Sequence, residues 1–458
     1  MKNSSFGRVA IALLLASYTC GCGTGEDPRG DDPGSGGKGV SSGGKIGTES
    51  GGSTLTGGGG SGTGGVSPTG GVAGGAGSGT NAGSGGASAG RSGVNAQCES
   101  PVGPGLPEGA PALEVGTWVD ISPSQVPFGN DGDNPIFTQG IAIDPCNPAI
   151  LYLTVDSFDV SKGGLFKSLD AGSTWTRIGT VDEEGQLIDE PIRVRIDPAN
   201  TQHLYVGDGV RGGTEGFWRS TDGGSTFEQP QSFKDLRTDQ LFPYDIYDVA
   251  VEPGNFDHIL LTSHSWWGDA YPDGSGLLES TDGGDTWSVL LPGPGWGSGH
   301  AVTFLYNPEL GLGDQSTWLV GTQGAGQWRT TDAGATWAKV SDNPIQHGGG
   351  TVYYTAAGVL FGSGAYNNMK STDNGLTWKT VGPGGGYNGI GGDGKNLYAA
   401  KCFGPTPFVT SPESDGETWS DFNSQQFPQG SFEIAHDAVN GILYAGNWTS
   451  GMWALKLE

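Results

Sequence analysis

Two carboxylates and a guanidinium, Asp248, Glu433 and Arg193, occupy matching places in segments that recur along this sequence. Aligning seven alternating segments gives an apolar column of Ile141, Val194, Val249, Phe304, Val352, Ile390 and Ile434. The adjacent column reads Gly140, Arg193, Asp248, Thr303, Thr351, Gly389 and Glu433. If these segments gather round an axis, the carboxylates flank the guanidinium. Such a set suits an acid/base pair with an orienting cation, and it suits a satisfied ion-pair cluster equally well. Three histidines, His264, His300 and His347, fall in connecting segments. A histidine base, with Arg193 or Arg211 neutralising a sugar carboxylate, fits β-elimination from a uronate-containing polysaccharide. Each histidine alone also reads as an ordinary polar loop residue. Aromatic residues share these connections: Trp266 and Trp267 beside His264, Trp296 near His300, then Tyr366, Tyr387 and Trp448. Flat aromatic bodies suit the apolar faces of sugar rings; the plainer reading is loops packing on themselves.

The elements that must position these residues lie in the C-terminal three quarters of the chain. Glycine numbers 88 residues and is concentrated between Gly23 and Gly93. A stretch with so few apolar side chains cannot offset the entropy of ordering, so 23–97 is expected to be a flexible tether. Residues 1–22 read as a targeting segment: Lys2 and Arg8 precede the apolar run 9–16, then Ser17-Tyr18-Thr19-Cys20-Gly21-Cys22. This resembles a bacterial lipoprotein signal, with Cys22 after Gly21 as the lipidated residue. Lipid attachment would be the only tie to a membrane, at the bacterial surface or outer membrane; an ordinary signal peptide and secretion is the alternative. The formal charge of −27, with 22 Lys and Arg in total, argues against nucleic acid, whose phosphates need a basic surface. No C-x-x-C or zinc-like Cys/His spacing occurs, so neither a metal nor a cofactor is expected.

One octapeptide recurs five times as S/T-x-D-x-G-x-T-W/F: Ser168–Trp175, Ser220–Phe227, Ser280–Trp287, Thr330–Trp337 and Ser371–Trp378, with a decayed copy at Ser414–Trp419. Its aspartate can accept backbone N–H groups of its own turn, and its glycine supplies positive φ, so the motif is structural rather than catalytic. Before each copy come Gly-aromatic or Gly-apolar runs, then runs such as LYVG and WLVG, then alternating segments such as GIAIDP and VRVRIDP. Each unit therefore reads as four short antiparallel strands, A to D, with the octapeptide between C and D. The fold expected for 98–458 is all-β, a seven-bladed β-propeller. Its last blade stops after strand C, and Thr117-Trp118-Val119-Asp120-Ile121 supplies the missing strand D. Strand A lines the axis. A–B and C–D turns fall on one face, and D–A and B–C loops on the other. The longest loops, 122–137, 179–190, 228–245 and 263–276, all fall on the second face, which is where a site is expected. Cys98 and Cys146 map to neighbouring positions on the octapeptide face and are expected to pair, leaving Cys402 free.

The octapeptides resemble the Asp-box (BNR) repeats of sialidases, xyloglucanases, sortilin-type receptors and photosystem II assembly factors. The resemblance covers about three quarters of the chain and implies the propeller. It implies less about activity, because one fold hosts unrelated functions. Classical sialidases use an arginine triad and an Arg-Ile-Pro element ahead of the first box; here no arginine lies between Gly93 and Lys167. Xyloglucanases share the wording of the first repeat, and Asp156 falls where that family places a catalytic aspartate. Those enzymes work in a cleft between two propellers, whereas this sequence has the repeats of one. Receptor and assembly-factor propellers bind proteins. Residues and resemblance together lead to the expectation of a carbohydrate-directed propeller, monomeric, acting as a glycoside hydrolase or polysaccharide lyase, with a non-catalytic glycan- or protein-binding module as the alternative.

Overall fold

The computed structural model describes residues 98, 102–129, 135–157, 159–181, 185–209, 214–240, 245–265, 267, 273–345, 352–382, 387–401 and 404–458. Seven antiparallel sheets follow one another in chain order, six of four strands and one of three, and they form a seven-bladed propeller. The A strands are Ile136–Ile143, Pro191–Ile196, Ile246–Glu252, Gly299–Phe304, Val352–Tyr354, Tyr387–Gly392 and Ser431–Asp437. In the seventh blade Trp118–Asp120 pairs with Gly451–Lys456, Trp118 opposite Leu455 and Asp120 opposite Trp453. N- and C-terminal strands thus share a sheet, and the ring closes without a free edge there. Cys98 and Cys146 form a disulfide with Cα atoms 5.5 Å apart, within the range a bridge requires. Cys402 lies outside the described residues.

The core lies between adjacent sheets. Ile141 and Leu153 of blade one meet Ala435 and Tyr444 of blade seven, while Ala142 and Tyr152 meet Val194 and Val206 of blade two. Alternation along each strand sends successive side chains to opposite neighbours, which is why single apolar columns recur at the same place in every unit.

Each octapeptide forms a self-satisfied turn. Asp170 accepts the Thr174 N–H at 2.8 Å and the Thr174 hydroxyl at 2.6 Å, while Ser168 Oγ accepts the Gly172 N–H at 2.8 Å. Asp222, Asp282, Asp332 and Asp373 do the same in their turns. The residue before the glycine also has positive φ, at Ala171, Gly223, Gly283, Ala333 and Asn374. On this face a C-strand cation reaches a backbone carbonyl of the next blade's turn: Lys167 to Gly223, Arg219 to Gly283, Arg329 to Asn374 and Lys370 to Asp415. Blade three breaks the series with Glu279, which instead meets His258 of its own sheet at 3.0 Å.

Two expectations need correction. The stretch 228–245 was expected to be loop, but it contains a helix, Gln231–Gln240. Strand D of blade two is accordingly reduced to one bridge, Arg219 to Glu228. Pro230 lacks the N–H to continue a ladder, and its carbonyl accepts the N–H groups of Phe233 and Lys234. The second correction is register in blade four. Val302 pairs with Val320 as Ile141 pairs with Leu153, so the columns hold Ala301 and Val302 rather than Thr303 and Phe304. The A–B connection there is longer, closing with the Leu305 N–H on the Thr317 carbonyl. Asn307-Pro308 therefore sits two residues beyond the place of Asp144-Pro145, which accounts for the two-residue difference in register.

Candidate functional site

Among the described residues, six A strands carry a bulge at the same point, with Gln139, Ile192, Tyr247, His300, Asn388 and Phe432 as the extra residues. A bulge leaves one residue out of the ladder and re-aims its neighbours. The next residue in each case belongs to the axial column: Gly140, Arg193, Asp248, Ala301, Gly389 or Glu433.

The structure brings Glu433, Arg193 and Asp248 together, as the column requires. Arg193 Nε lies 3.3 Å from Asp248 Oδ1, and its Nη1 lies 3.6 Å from Glu433 Oε2 and 2.5 Å from the Gln139 carbonyl. Arg195, absent from the sequence-based set, adds Nη2 at 3.3 Å from Asp248 Oδ1. All four side chains are buried. The carboxylates also take backbone donors across blade seams. Glu433 Oε2 accepts the Ile141 N–H at 2.9 Å, and Asp248 Oδ2 accepts the Val302 N–H at 3.1 Å. Gly140 leaves the room for this, since a Cβ there would stand 3.0 Å from the Ile192 carbonyl and 3.4 Å from Glu433 Oε2. Burial opposes charge on Arg193, yet Glu433 and Asp248 outweigh it and hold the guanidinium above its usual pKa. Burial pushes the Glu433 carboxyl up, with Arg193 and Arg195 pulling against it. The set forms a buried ion-pair cluster joining blades seven, one, two, three and four, which is the ion-pair arrangement that the column allowed beside an acid/base pair.

Asp156 lies one residue before the end of strand B of blade one, Leu151–Ser157, buried, with Oδ2 3.2 Å from Gln139 Nε2. His264 and His300 lie 5.0 Å apart by ring centroids, and Tyr247 joins them at 5.1 and 4.6 Å. His264 Nδ1 is 3.6 Å from Asp245 Oδ2, which also takes the Ser265 N–H at 2.8 Å. The His264 side chain is 20 % exposed, whereas His300 is fully buried, so His264 is the one that can meet a ligand. The sequence missed Tyr247, Asp245, Gln139 and Arg195. The bulge puts Tyr247 and Gln139 outside any column, while Arg195 stands two residues past Arg193 and could have been read from alternation.

The aromatic expectations divide. Trp267 and Trp296 are 3 % and 0 % exposed and belong to the cores of blades three and four, so neither offers a ring face to a sugar. Their apolar bodies gain more by packing than by standing in water. Trp448 packs on Phe432 at 4.4 Å and Phe137 at 3.9 Å and is only partly exposed. Tyr366 stands out at 52 % exposed. Trp266, Arg211, His347 and Cys22 lie outside the described residues, and of Tyr387 only the backbone is described. Among the described residues no cluster of three or more His, Cys, Asp or Glu could hold a metal ion, and no helix is long and apolar enough to cross a membrane.

Fold and site together define a seven-bladed propeller with structural turns on one face, a salt-bridged axis, and histidine, tyrosine and carboxylate groups on the other face. Against known proteins, no family profile matches the chain. It is similar to a xyloglucanase of Hypocrea jecorina, 27 % identical over 281 residues, covering 53 % of this chain and 32 % of that protein. It is similar also to a xyloglucanase of Paenibacillus sp, 27 % identical over 338 residues, covering 63 % and 31 %. This chain thus spans about a third of the length of these curated relatives. Among solved structures, the extracellular domain of a hybrid two component system from B. thetaiotaomicron superposes with a TM-score of 0.52 at 12 % identity, over 70 % of this chain and 40 % of that one. That likeness is one of fold.

Proposed function

We propose that the propeller engages an extracellular polysaccharide on the face of its D–A and B–C loops, and that it acts there as a glycoside hydrolase or polysaccharide lyase. The observation that carries this reading is the similarity to xyloglucanases over more than half the chain. A neutral β-glucan of xyloglucan type is therefore the first substrate class to test. Asp156 is the carboxylate for hydrolysis, and His264, oriented by Asp245, is the base for elimination. Tyr366 supplies an exposed ring. In this reading a lipid on Cys22 and the 23–97 tether hold the propeller at the bacterial surface.

A second reading is a non-catalytic glycan- or protein-binding module. It is favoured by the axial carboxylates, in which Glu433 Oε2 and both oxygens of Asp248 serve backbone N–H groups and guanidinium.

The test incubates the full chain with xyloglucan and with uronate-containing polysaccharides, following binding by calorimetry, reducing ends, and unsaturated products. New reducing ends from xyloglucan support a hydrolase, and unsaturated products support a lyase. Binding without either product selects the module. No binding to any glycan removes the carbohydrate reading.

A further inference from the structure

A hydroxyl group on the loop face of blade two stands between two carboxyl groups. Thr214 Oγ1 lies 2.5 Å from Asp208 Oδ2 and 2.8 Å from Asp189 Oδ1, and it also accepts the Asp189 N–H at 3.1 Å. A threonine hydroxyl has one proton and two lone pairs. One lone pair takes the Asp189 N–H. The single hydroxyl proton can serve only one of the two carboxyl oxygens. The other carboxyl must bring a proton of its own, directed at the remaining lone pair.

Asp208 is the carboxyl placed to do so. It ends strand B of blade two, fully buried, with Oδ1 accepting the Glu190 N–H at 3.0 Å. Asp189 is only partly buried, and the Arg177 guanidinium interacts with it electrostatically. Burial is the main push on Asp208, and the carboxylates of Asp189 and Glu215 add to it; the hydrogen bonds to Thr214 and to the Glu190 N–H pull the other way, and the balance leaves Asp208 raised to about 8. Glu190 contributes its backbone N–H. Beyond Gly209 lies Asp245 of the next blade, packed so closely that a Cβ on Gly209 would stand 2.4 Å from the Asp245 Cα.

We propose that Asp208 holds a proton at neutral pH and donates it to Thr214, which donates in turn to Asp189. One proton then ties the D–A loop leading into blade two to that blade's B–C loop. Loss of the proton sets two carboxylates against one hydroxyl, and the tie fails. The sign of the linkage follows from the native state binding a proton that an unfolded aspartate, with its pKa of about 3.9, has released. The stabilisation is complete below that value and declines as pH rises, being gone once pH has passed through about 8. This inference stands on hydrogen-bond geometry and is independent of which ligand the face binds.

The test is difference infrared spectroscopy of the full chain between about pH 6 and pH 9, with thermal melts at the same pH values. Wild type should show a protonated-carboxyl band at the lower pH that bleaches with a midpoint near 8. In Asp208→Asn the amide keeps a donor toward Thr214 and does not titrate, so that band should be missing and the fall in Tm with pH should be shallower. Thr214→Ser keeps the hydroxyl and should leave the midpoint in place. A wild-type spectrum without the band at the lower pH overturns the proposal even if the variants fail to fold. A band unchanged in folded Asp208→Asn overturns it as well.

Discussion

Glu433 Oε2 accepts the backbone N–H of Ile141 at 2.9 Å, joining the last blade to the first beside the axis. Asp248 repeats the contact on Val302 one seam beyond blade three. Val302 and Ile141 hold equivalent places just after a bulge, so the two carboxylates solve the same problem. A bulge frees a backbone donor, and an acidic side chain from the preceding blade accepts it.

Removing one member of this cluster should cost more than any surface ion pair. Arg193→Ala would leave Asp248 and Glu433 buried with one guanidinium fewer between them, and a broken buried pair typically costs about 3–5 kcal/mol. Chemical denaturation should show that loss. A change below about 1 kcal/mol, the size of an exposed pair, would mean that solvent already screens the axis. For Asp248→Asn the loss should likewise appear in stability, since both carboxylate oxygens hold structural partners.

Much of this plan was legible in the sequence because it repeats. The octapeptides mark five of the C–D turns, and the spacing of apolar columns marks strands A and B, so blade count, closure through Trp118–Asp120 and the Cys98–Cys146 bridge all followed. What failed is what does not repeat. The longer A–B connection of blade four moved its Asn-Pro signal by two residues. Gln231–Gln240 carries too few apolar residues to announce a helix, although Phe233 anchors it beside Phe217 and Trp287. Trp267 and Trp296 stand in loop segments by sequence, but burial is set by the neighbouring blade, which a single strand's pattern does not record.

His258 gives a pH dependence separate from that of Asp208. Its Nδ1 is 2.8 Å from Glu252 and its Nε2 3.0 Å from Glu279, while its ring packs edge-on against Phe304 of blade four at 4.9 Å. Burial favours the neutral ring, but the two carboxylates outweigh it and raise the pKa above the usual 6.5. The stabilisation is therefore fully present below the unfolded value and lost as pH rises through the raised one. Relative to wild type, His258→Gln should melt lower in mildly acidic buffer, with the gap closing as the buffer becomes alkaline. A gap that widens with pH would show that the ring is neutral in the native protein.

The disulfide should matter through the chain it closes. Cys98 and Cys146 are separated by 48 residues, for which loop-closure entropy gives about 4 kcal/mol in the chain-entropy model. The closed segment contains Trp118–Asp120, the strand that completes the ring. Cys98→Ser should lower the melting temperature and expose the N-terminal segment to protease before the blades themselves. Melting and cleavage indistinguishable from wild type would show that Trp118–Asp120 holds its place through strand pairing alone.

The final prediction separates scaffold from working face. Asp222 accepts the Thr226 N–H at 2.9 Å and the Ser220 hydroxyl at 2.8 Å within one octapeptide turn. Asp222→Ala leaves those donors to water and should cost about 1–3 kcal/mol. It should leave glycan affinity unchanged, because the turn lies on the face away from the B–C and D–A loops. His264→Ala and Tyr366→Ala should do the reverse. His264 is partly exposed beside Tyr247 and Asp245, and Tyr366 presents half its surface to solvent, so neither truncation opens a large cavity. Both should keep a melting temperature near wild type and weaken binding or turnover. Melts and calorimetric titrations on the three variants side by side decide between the faces. If folded Asp222→Ala lost the glycan while His264→Ala and Tyr366→Ala kept it, the ligand would belong on the octapeptide face instead.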